Sequence, residues 1–324
     1  MTGSPSFRQD AAVLPRRVLA RLLAPAIGLT LLPLALVSAP AASPAAAPPA
    51  DAARPGHHHG HHNHQGHHGH HARRNRAQGV GAWWLPGATT ALRRSRASWV
   101  YNWAAQPTFR VPHGVRFVPM IWGAQFLTPQ QLSDAQKYGP DLLTFNEPEI
   151  GSQAYLSVDQ ALDLWPALEA TGLRLSSPAV VNNDALDRHG WLGTFMRKAK
   201  RRGLRVDFIA VHWYSDIFNA EGSTRHLRRY LRRVHQTYGL PVWLTEYSLL
   251  GWDSLGQLVY PRPGVQARFI ARSTRMLDQL PWLERYAWWA LPAPDHGRSS
   301  GLYRADDRPT RAGRAFRAAA MRRR

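Results

Sequence analysis

The sequence contains no cysteine, and lysine occurs only three times among its 324 residues. Without cysteine the chain can form no disulfide and use no thiolate, so its stability must come from packing. The formal charge of +20 therefore rests almost wholly on arginine. A basic chain can bind nucleic acid, anionic membranes or acidic wall polymers. No DNA- or RNA-binding motif accompanies the charge, so no nucleic-acid partner is expected.

Residues 1–45 have the pattern of a secretion signal. The arginine pair Arg16 and Arg17 precedes an apolar segment at residues 22–37, and small residues follow it. That segment is interrupted by two prolines and is short for a membrane span, so export is expected. An uncleaved signal that anchors the chain in a membrane is the alternative, and the arginine pair also fits twin-arginine export. We therefore expect a secreted, extracellular protein.

Residues 46–78 are rich in Ala, Pro and His and are predicted to be a disordered linker. Ten of the 16 histidines lie between residues 57 and 71. Their imidazoles could bind Zn, Ni or Cu loosely, or the tract could serve only as a solvated linker. Both interpretations stay open, and neither involves the domain that we expect over residues 79–320.

Eight apolar segments of this domain are predicted to be β-strands. Most are continuous rather than alternating, which is typical of parallel strands covered on both faces. They are GVGAWW (79–84), SWVYNW (98–103), RFVPMIW (116–122), LLTFN (142–146), LRLSSP (173–178), VDFIAVHWY (206–214), VWLTEY (242–247) and RYAWWAL (285–291).

Helical signals lie between many of these strands. Thr128 and Ser157 each precede a helical segment as N-caps, with glutamine three residues later. Gly172, Gly203 and Gly239 each stand where a helix should end before a strand. This alternation predicts an α/β fold, a (β/α)8 TIM barrel. A doubly wound sheet usually carries a glycine-rich phosphate loop after its first strand, and the sequence has none.

Catalytic groups of such barrels lie at the carboxyl ends of the strands. Glu147 ends the fourth predicted strand and Glu246 the seventh. Either glutamate alone is as readily a charge at a helix start. As a pair, they suit cleavage of a glycosidic bond, in which one carboxyl group protonates the leaving oxygen and the other attacks the sugar. Glu149 is expected to be a loop or helix-entry residue.

Other polar and aromatic residues also end predicted strands. Tryptophan rings suit the apolar faces of sugars, although a lone histidine is more often structural and tryptophans are core residues by default. No cluster of metal ligands is evident at these positions, so no metal and no cofactor are expected. The candidates for substrate binding are Asn102, Trp103, Trp122, Asn146, His212, Tyr214 and Trp289.

Six motifs resemble glycoside hydrolase family 128 in their order and spacing: FVPMIWG, LLTFNEPE, SSPAV, DFIAVHWY, PVWLTEYS and ERYAWW. The resemblance extends from about residue 79 to residue 316. It implies a clan A barrel that hydrolyses β-1,3-glucan with retention. In this resemblance Glu147 is the general acid/base, Glu246 is the nucleophile, and Asn146 binds the sugar 2-hydroxyl.

The same resemblance implies roles for the other candidates. Tyr214 and His212 would orient Glu246 or line the subsite, and Trp289 would lie under the scissile sugar. Asn102, Trp103 and Trp122 would line further subsites. The expected partner is a β-glucan polysaccharide, bound by a monomer.

Three alternatives to this function stay open. The chain could bind glucan without cutting it, or sequester metal through the His-rich tract. It could also be a clan A hydrolase of another β-glucan or of mannan. Linkage choice and endo or exo action depend on cleft shape, which the sequence does not define.

Overall fold

The computed structural model describes residues 77–322, so the predicted secretion signal and residues 46–76 of the predicted linker lie outside the described part. Eight parallel strands form one sheet. They are β1 (Gln78–Gly81), β2 (Trp99–Tyr101), β3 (Arg116–Phe117), β4 (Asp141–Asn146), β5 (Arg174–Val181), β6 (Ile209–Ser215), β7 (Val242–Leu249) and β8 (Leu283–Trp289).

The sheet closes into a barrel. Strand β1 pairs with both β2 and β8, and the paired order runs β3-β2-β1-β8-β7-β6-β5-β4. The chain beyond β3 forms a parallel bridge between Met120 and Leu143 of β4, and Leu143 N donates to Pro119 O at 2.9 Å. This bridge joins the two edges and confirms the predicted (β/α)8 barrel. The third strand is short because Pro119 has no N–H for the ladder.

Seven helices are described around the strands: α1 (Ala88–Ser95), α2 (Pro129–Gln136), α3 (Val158–Glu169), α4 (Trp191–Arg201), α5 (Ala220–Tyr238), α6 (Pro263–Leu277) and α7 (Arg311–Ala320). The connection from β2 to β3 contains no helix, whereas α1 follows β1. Short 3₁₀ turns occur at Ala124–Phe126 and Asn182–Leu186. Of the described helices, none is long and apolar enough to cross a membrane.

The predicted helix boundaries are confirmed. Thr128 accepts a hydrogen bond from Gln131 N, and Ser157 forms a reciprocal capping box with Gln160. Gly239 ends α5 with φ of 69°, a left-handed conformation that glycine adopts without a Cβ clash. Gly172 and Gly203 have the same sign of φ. A small hairpin after β7, Gly251–Trp252 with Leu258–Val259, was not predicted.

Alternate residues of the strands fill two separate layers. The layer inside the barrel is aromatic, with Trp243 between Trp99 and Phe208 at centroid distances of 5.5 and 4.3 Å. Tyr101 lies above Trp99 in the same layer, at 6.0 Å. The strand residues whose side chains point outward, such as Trp213, pack between the strands and the helices. The inner layer therefore forms an apolar floor below the carboxyl ends of the strands.

An ionic cluster lies at the other end of the barrel, where the strands begin. Asp141, the first residue of β4, is buried and lies 2.9 Å from Arg174 and 3.5 Å from both Arg116 and Arg285. The Arg285 guanidinium also lies 4.7 Å from the ring centroid of Trp243. These contacts hold the amino end of the barrel beneath the aromatic floor.

Candidate active site

Glu147 and Glu246 meet at the carboxyl end of the barrel. Glu147 follows β4 and Glu246 lies within β7, and both are almost fully buried, at 3% and 4% exposure. One carboxylate oxygen of each and a ring nitrogen of His212 all lie within 4.8 Å of one another. The two glutamates that the sequence singled out therefore share one site.

His212 lies between the two carboxyl groups. It is the register partner of Glu246 across β6 and β7, after a shift in the ladder at Val211. Its Nδ1 is 2.6 Å from Glu147 Oε1, and its Nε2 is 3.5 Å from Glu246 Oε1. The His212 side chain is wholly buried, so this contact joins the two glutamates through one imidazole ring.

Three aromatic side chains donate hydrogen bonds to Glu246. Tyr101 OH and Trp103 Nε1 donate to Oε1 at 2.9 and 2.8 Å, and Tyr214 OH donates to Oε2. Burial and the Glu246 charge raise the pKa of Tyr101 and Tyr214 well above 10.0, so both remain protonated donors. These three donors hold the Glu246 carboxylate in one orientation.

The hydrogen bond from Trp103 to Glu246 was not predicted, although Trp103 itself was named as a candidate subsite residue. Tyr101 was not among the predicted site residues at all. Its place in the apolar segment SWVYNW is typical of a core residue, and its partner lies 145 residues further along the chain. The spacing of Trp99, Tyr101 and Trp103 could have identified Tyr101 as a site residue. Residues two apart in a strand share one face, so all three are predicted to point into the barrel.

Burial raises the pKa of Glu147, the negative charge of Glu246 adds to the increase, and the bond with His212 opposes it. Burial lowers the pKa of His212, but the charge of Glu246 and the bond with Glu147 outweigh burial and raise it. The site therefore retains protons that isolated groups would lose.

The backbone at Glu147 is in an unusual conformation. Its φ is 45°, and Trp103 has φ of 58°, both in the left-handed region that non-glycine residues avoid. Glu147 N donates to Ala179 O at 2.7 Å, which fixes the chain as it leaves β4. Left-handed residues of this kind cluster at functional sites, where the surrounding structure holds them.

At the carboxyl end of the barrel, the two buried amides Asn146 and Asn102 each have an oxygen that accepts no hydrogen bond within the described residues. Asn146 donates from Nδ2 to Gln153 Oε1 at 3.2 Å, while its Oδ1 has no partner. Asn102 donates to Gln106 O at 3.1 Å, and its Oδ1 is likewise without a partner. Buried polar atoms are rarely left unpaired, so both oxygens are suited to accept a ligand hydroxyl.

Tryptophans form the open side of the site. Trp289 is half-buried, with its ring centroid 6.0 Å from Tyr214 and 6.1 Å from Trp83. Trp83 is 41% exposed and also lies 6.1 Å from Trp103. The sequence analysis placed Trp83 in a strand and did not name it as a site residue. Trp122 is half-buried, and its edge faces Phe126 rather than this group.

Glu149 lies in the turn after β4, as predicted, but its carboxyl group is buried. Its Oε1 accepts a hydrogen bond from Val181 N at 2.8 Å. Burial raises the pKa of Glu149 to about 8. Glu149 thus ties the end of β4 to the end of β5 and is largely protonated at neutral pH.

Glu147, His212 and Glu246 also have the side-chain types of a metal site, the one such group of three found among residues 77–322. Ligand atoms bound to one tetrahedral metal at about 2.0–2.1 Å stand roughly 3.3 Å apart. The Nδ1 to Oε1 distance of 2.6 Å is shorter and is that of a hydrogen bond. The geometry of this pair fits proton sharing better than joint metal ligation.

A parallel barrel with two buried carboxyl groups at its carboxyl end, beside exposed tryptophans, is typical of the barrel glycoside hydrolases. A family model described as glycosyl hydrolase catalytic core matches residues 82–316. With that match and 44% identity to a solved member, the chain belongs to glycoside hydrolase family 128.

The solved member is a subgroup I endo-β-1,3-glucanase from Amycolatopsis mediterranei in complex with laminarihexaose, which aligns over 75% of this chain and 99% of that chain with a TM-score of 0.71. A subgroup II endo-β-1,3-glucanase from Sorangium cellulosum is 28% identical, covers 75% of this chain and 98% of that one, and has a TM-score of 0.59.

A curated relative, alkali-sensitive linkage protein 1 of Schizosaccharomyces pombe, is 28% identical over 233 residues, which is 68% of this chain. The chain spans about 40% of the length of that relative.

Proposed function

We propose that the protein is a secreted hydrolase of β-1,3-glucan that acts with retention and without a cofactor. The observation that carries the proposal is the pair of buried glutamates, with one oxygen of each within 4.8 Å. Retaining glycosidases hold their carboxyl groups about 5–5.5 Å apart, whereas inverting enzymes need about 6.5–9.5 Å to admit water. The substrate class is supported by the similarity to endo-β-1,3-glucanases, one of them bound to laminarihexaose.

In the proposed first step, Glu147 acts as general acid and Glu246 as nucleophile. Glu246 forms a bond to the anomeric carbon, the glycosidic bond breaks, and the leaving oxygen takes the proton of Glu147. Burial supports this assignment because it raises the pKa of Glu147 and keeps the acid protonated. Three hydrogen-bond donors fix the orientation of the Glu246 carboxylate, which supports its role as the attacking group.

In the second step, Glu147 acts as base and water releases the sugar. The charge of Glu246 raises the pKa of Glu147, and this charge is lost when Glu246 becomes an ester. The pKa of Glu147 then falls, which suits a base. His212, in contact with both glutamates, is placed to hold Glu147 in position through both steps.

Substrate binding would use the unpaired oxygens and the tryptophans. Asn146 Oδ1 is free to accept from a sugar hydroxyl beside the glutamates, and Asn102 Oδ1 offers a second acceptor. Trp289 and Trp83 present rings on which a glucose residue can stack. Trp122 would contribute to a more distant subsite.

The substrate is tested by incubating the protein with laminarin, curdlan, barley β-glucan, carboxymethylcellulose and mannan. We expect release of reducing ends from the β-1,3-glucans and none from carboxymethylcellulose or mannan. Release from mannan or carboxymethylcellulose alone would overturn the substrate but keep the chemistry. Binding of laminari-oligosaccharides without any product would instead support a non-catalytic glucan-binding protein.

Retention is tested by proton NMR of the products in the first minutes of reaction, before the anomers equilibrate. A double displacement inverts the anomeric carbon twice, so we expect the β-anomer first. An initial α-anomer would show that a single displacement operates and that Glu246 activates water instead of attacking the sugar.

Export of the chain is part of the proposal. It is supported by the arginine pair and the apolar segment of residues 1–45. The protein is proposed to act as a monomer on extracellular glucan.

A further inference from the structure

Four neighbouring helices hold 13 of the 31 lysines and arginines of residues 77–322 but only one of the 19 acidic residues there. In barrel order these are α5, α6, α7 and α1, each packed against the next. Five exposed arginines lie on α5, three each on α6 and α7, and two on α1. The same four helices contain one acidic residue, Glu221. We call this surface the arginine wall.

Within residues 77–322, nearly all arginines of the wall lack an acidic partner, whereas several cations elsewhere on the barrel have one. Among the described residues, Arg225 is the one arginine of the wall with a carboxylate within 4.0 Å, that of Glu221. On the next face, Lys198 and Arg202 of the α4 region pair with Asp159 of α3. A compositional bias toward arginine would raise the charge of every face alike, so the one-sided distribution requires another explanation.

A cavity of about 260 Å³ lies at one end of the wall, between the loop after β8 and the starts of α6 and α7. Four arginines line it, Arg298, Arg304, Arg311 and Arg314, and no acidic residue is among its described lining residues. Guanidinium groups bind phosphate through paired hydrogen bonds. The β-glucan of the proposed reaction is uncharged, so catalysis leaves this charge unexplained.

We propose that the arginine wall binds a linear polymer that carries phosphate groups. Arginines four residues apart on α5, such as Arg228 and Arg232, stand on one face of the helix and can contact successive phosphates. The same spacing recurs at Arg268 and Arg272 on α6. The partly open cavity beside Arg311 offers a position for one phosphate at the end of this path.

A flexible polymer fits the wall better than a membrane does. The four helices belong to the outer ring of a barrel and face different directions, so a flat surface meets one or two of them at once. A flexible chain can follow the curve. None of the exposed large apolar side chains of residues 77–322 lies within these helices, although Met321 follows α7 and Ile217 and Phe218 precede α5. Along the helices themselves a lipid layer would meet arginines rather than apolar anchors.

The test compares two double variants of the full chain that change the net charge equally. Arg228→Glu with Arg232→Glu alters the wall, whereas Lys200→Glu with Arg201→Glu alters exposed cations on α4. Binding to inorganic polyphosphate is measured over a range of salt concentrations. For the wall variant we expect at least about a tenfold loss of affinity. The slope of log affinity against log salt concentration should also become shallower by about one for each phosphate contact removed. The α4 variant should stay close to wild type.

Each contrary outcome overturns the proposal. Equal losses in both variants would mean that bulk charge alone drives binding, and unchanged binding in both would place the polymer elsewhere. Tighter binding to phosphatidylglycerol vesicles than to polyphosphate would favour a membrane instead. Hydrolysis of a soluble laminari-oligosaccharide should be unchanged in both variants, and circular dichroism verifies their folding. A failure of hydrolysis in the wild type would not affect this comparison.

Discussion

Replacing Glu246 by glutamine should lower kcat/KM on laminarin more than about 10⁴-fold, the scale of losing a covalent nucleophile. The amide keeps the shape of the side chain, and its oxygen can still accept from Trp103 Nε1. It cannot form the glycosyl ester. We therefore expect laminari-oligosaccharides to bind Glu246→Gln with near wild-type affinity by calorimetry, while release of reducing ends disappears.

An added nucleophile can identify which face of the sugar Glu246 occupies. In Glu246→Gly, azide would fill the vacated space and attack once, giving an α-glycosyl azide from a β-linked substrate. In Glu147→Gly, azide would attack the glycosyl-enzyme from the opposite face and give the β-product. An exchange of these two anomers would reverse the assigned roles of the glutamates.

Replacing Glu147 by glutamine should lower kcat/KM on laminarin by about 10²–10⁴-fold, the typical contribution of a general acid. The loss should be much smaller for an aryl β-glucoside with an acidic phenol, because that leaving group departs without a proton. A similar loss on both substrates would mean that Glu147 supports the site structurally rather than by proton transfer.

The pH profile gives an independent check on Glu147. The general acid is active in its protonated form, and burial raises its pKa, so activity should persist above the range of an ordinary glutamate and fall as pH rises through the raised pKa. In Glu147→Gln this alkaline decline in kcat/KM should vanish. Its persistence in the variant would assign the decline to another group, for which His212 is the nearest candidate.

Glu149 supplies a matched control for both glutamates. With a pKa of about 8, its carboxyl group is mostly neutral at pH 6, and glutamine resembles that neutral form. The amide oxygen of Glu149→Gln can keep the bond from Val181 N. We expect Glu149→Gln to keep activity within a few-fold of wild type. A large loss in the Glu147 and Glu246 variants would then not be a general effect of replacing a buried glutamate by glutamine near this site.

The positions of Glu147 and Glu246 at strand ends could be predicted because the local strand pattern and the barrel topology point to the same place. A continuous apolar strand that ends in a carboxylate, repeated at Glu147 and Glu246, allows few arrangements once the fold is a parallel barrel. The exact ends of the strands were harder to predict from the sequence. Pro119 interrupts the ladder of the third strand, and Trp83 and Trp84 leave β1 after Gly81.

The hydrogen bonds around Glu246 depend on distances that no local pattern contains. Trp103 was predicted as a subsite residue, but the sequence does not show that its indole N–H donates to Glu246 on β7, which two strands separate from β2 in the sheet order. Tyr101 resembles an ordinary core residue until its hydroxyl partner is known. Glu149 was correctly placed in a turn, but its burial follows from the β4 to β5 contact and not from its neighbours in sequence.

The hydrogen bond from Tyr101 to Glu246 also links the site to the folding of the chain. These residues are 145 positions apart in the chain, and β1 and β8 lie between β2 and β7 in the paired order of the sheet. Contacts of such long sequence separation slow folding, because the chain loses loop-closure entropy before they form. Glu246 on β7 therefore has its full set of donors only when β2 and β6 are both in place. The hydrogen bonds of Glu246 therefore act as a local reporter that distant parts of the sheet have assembled together.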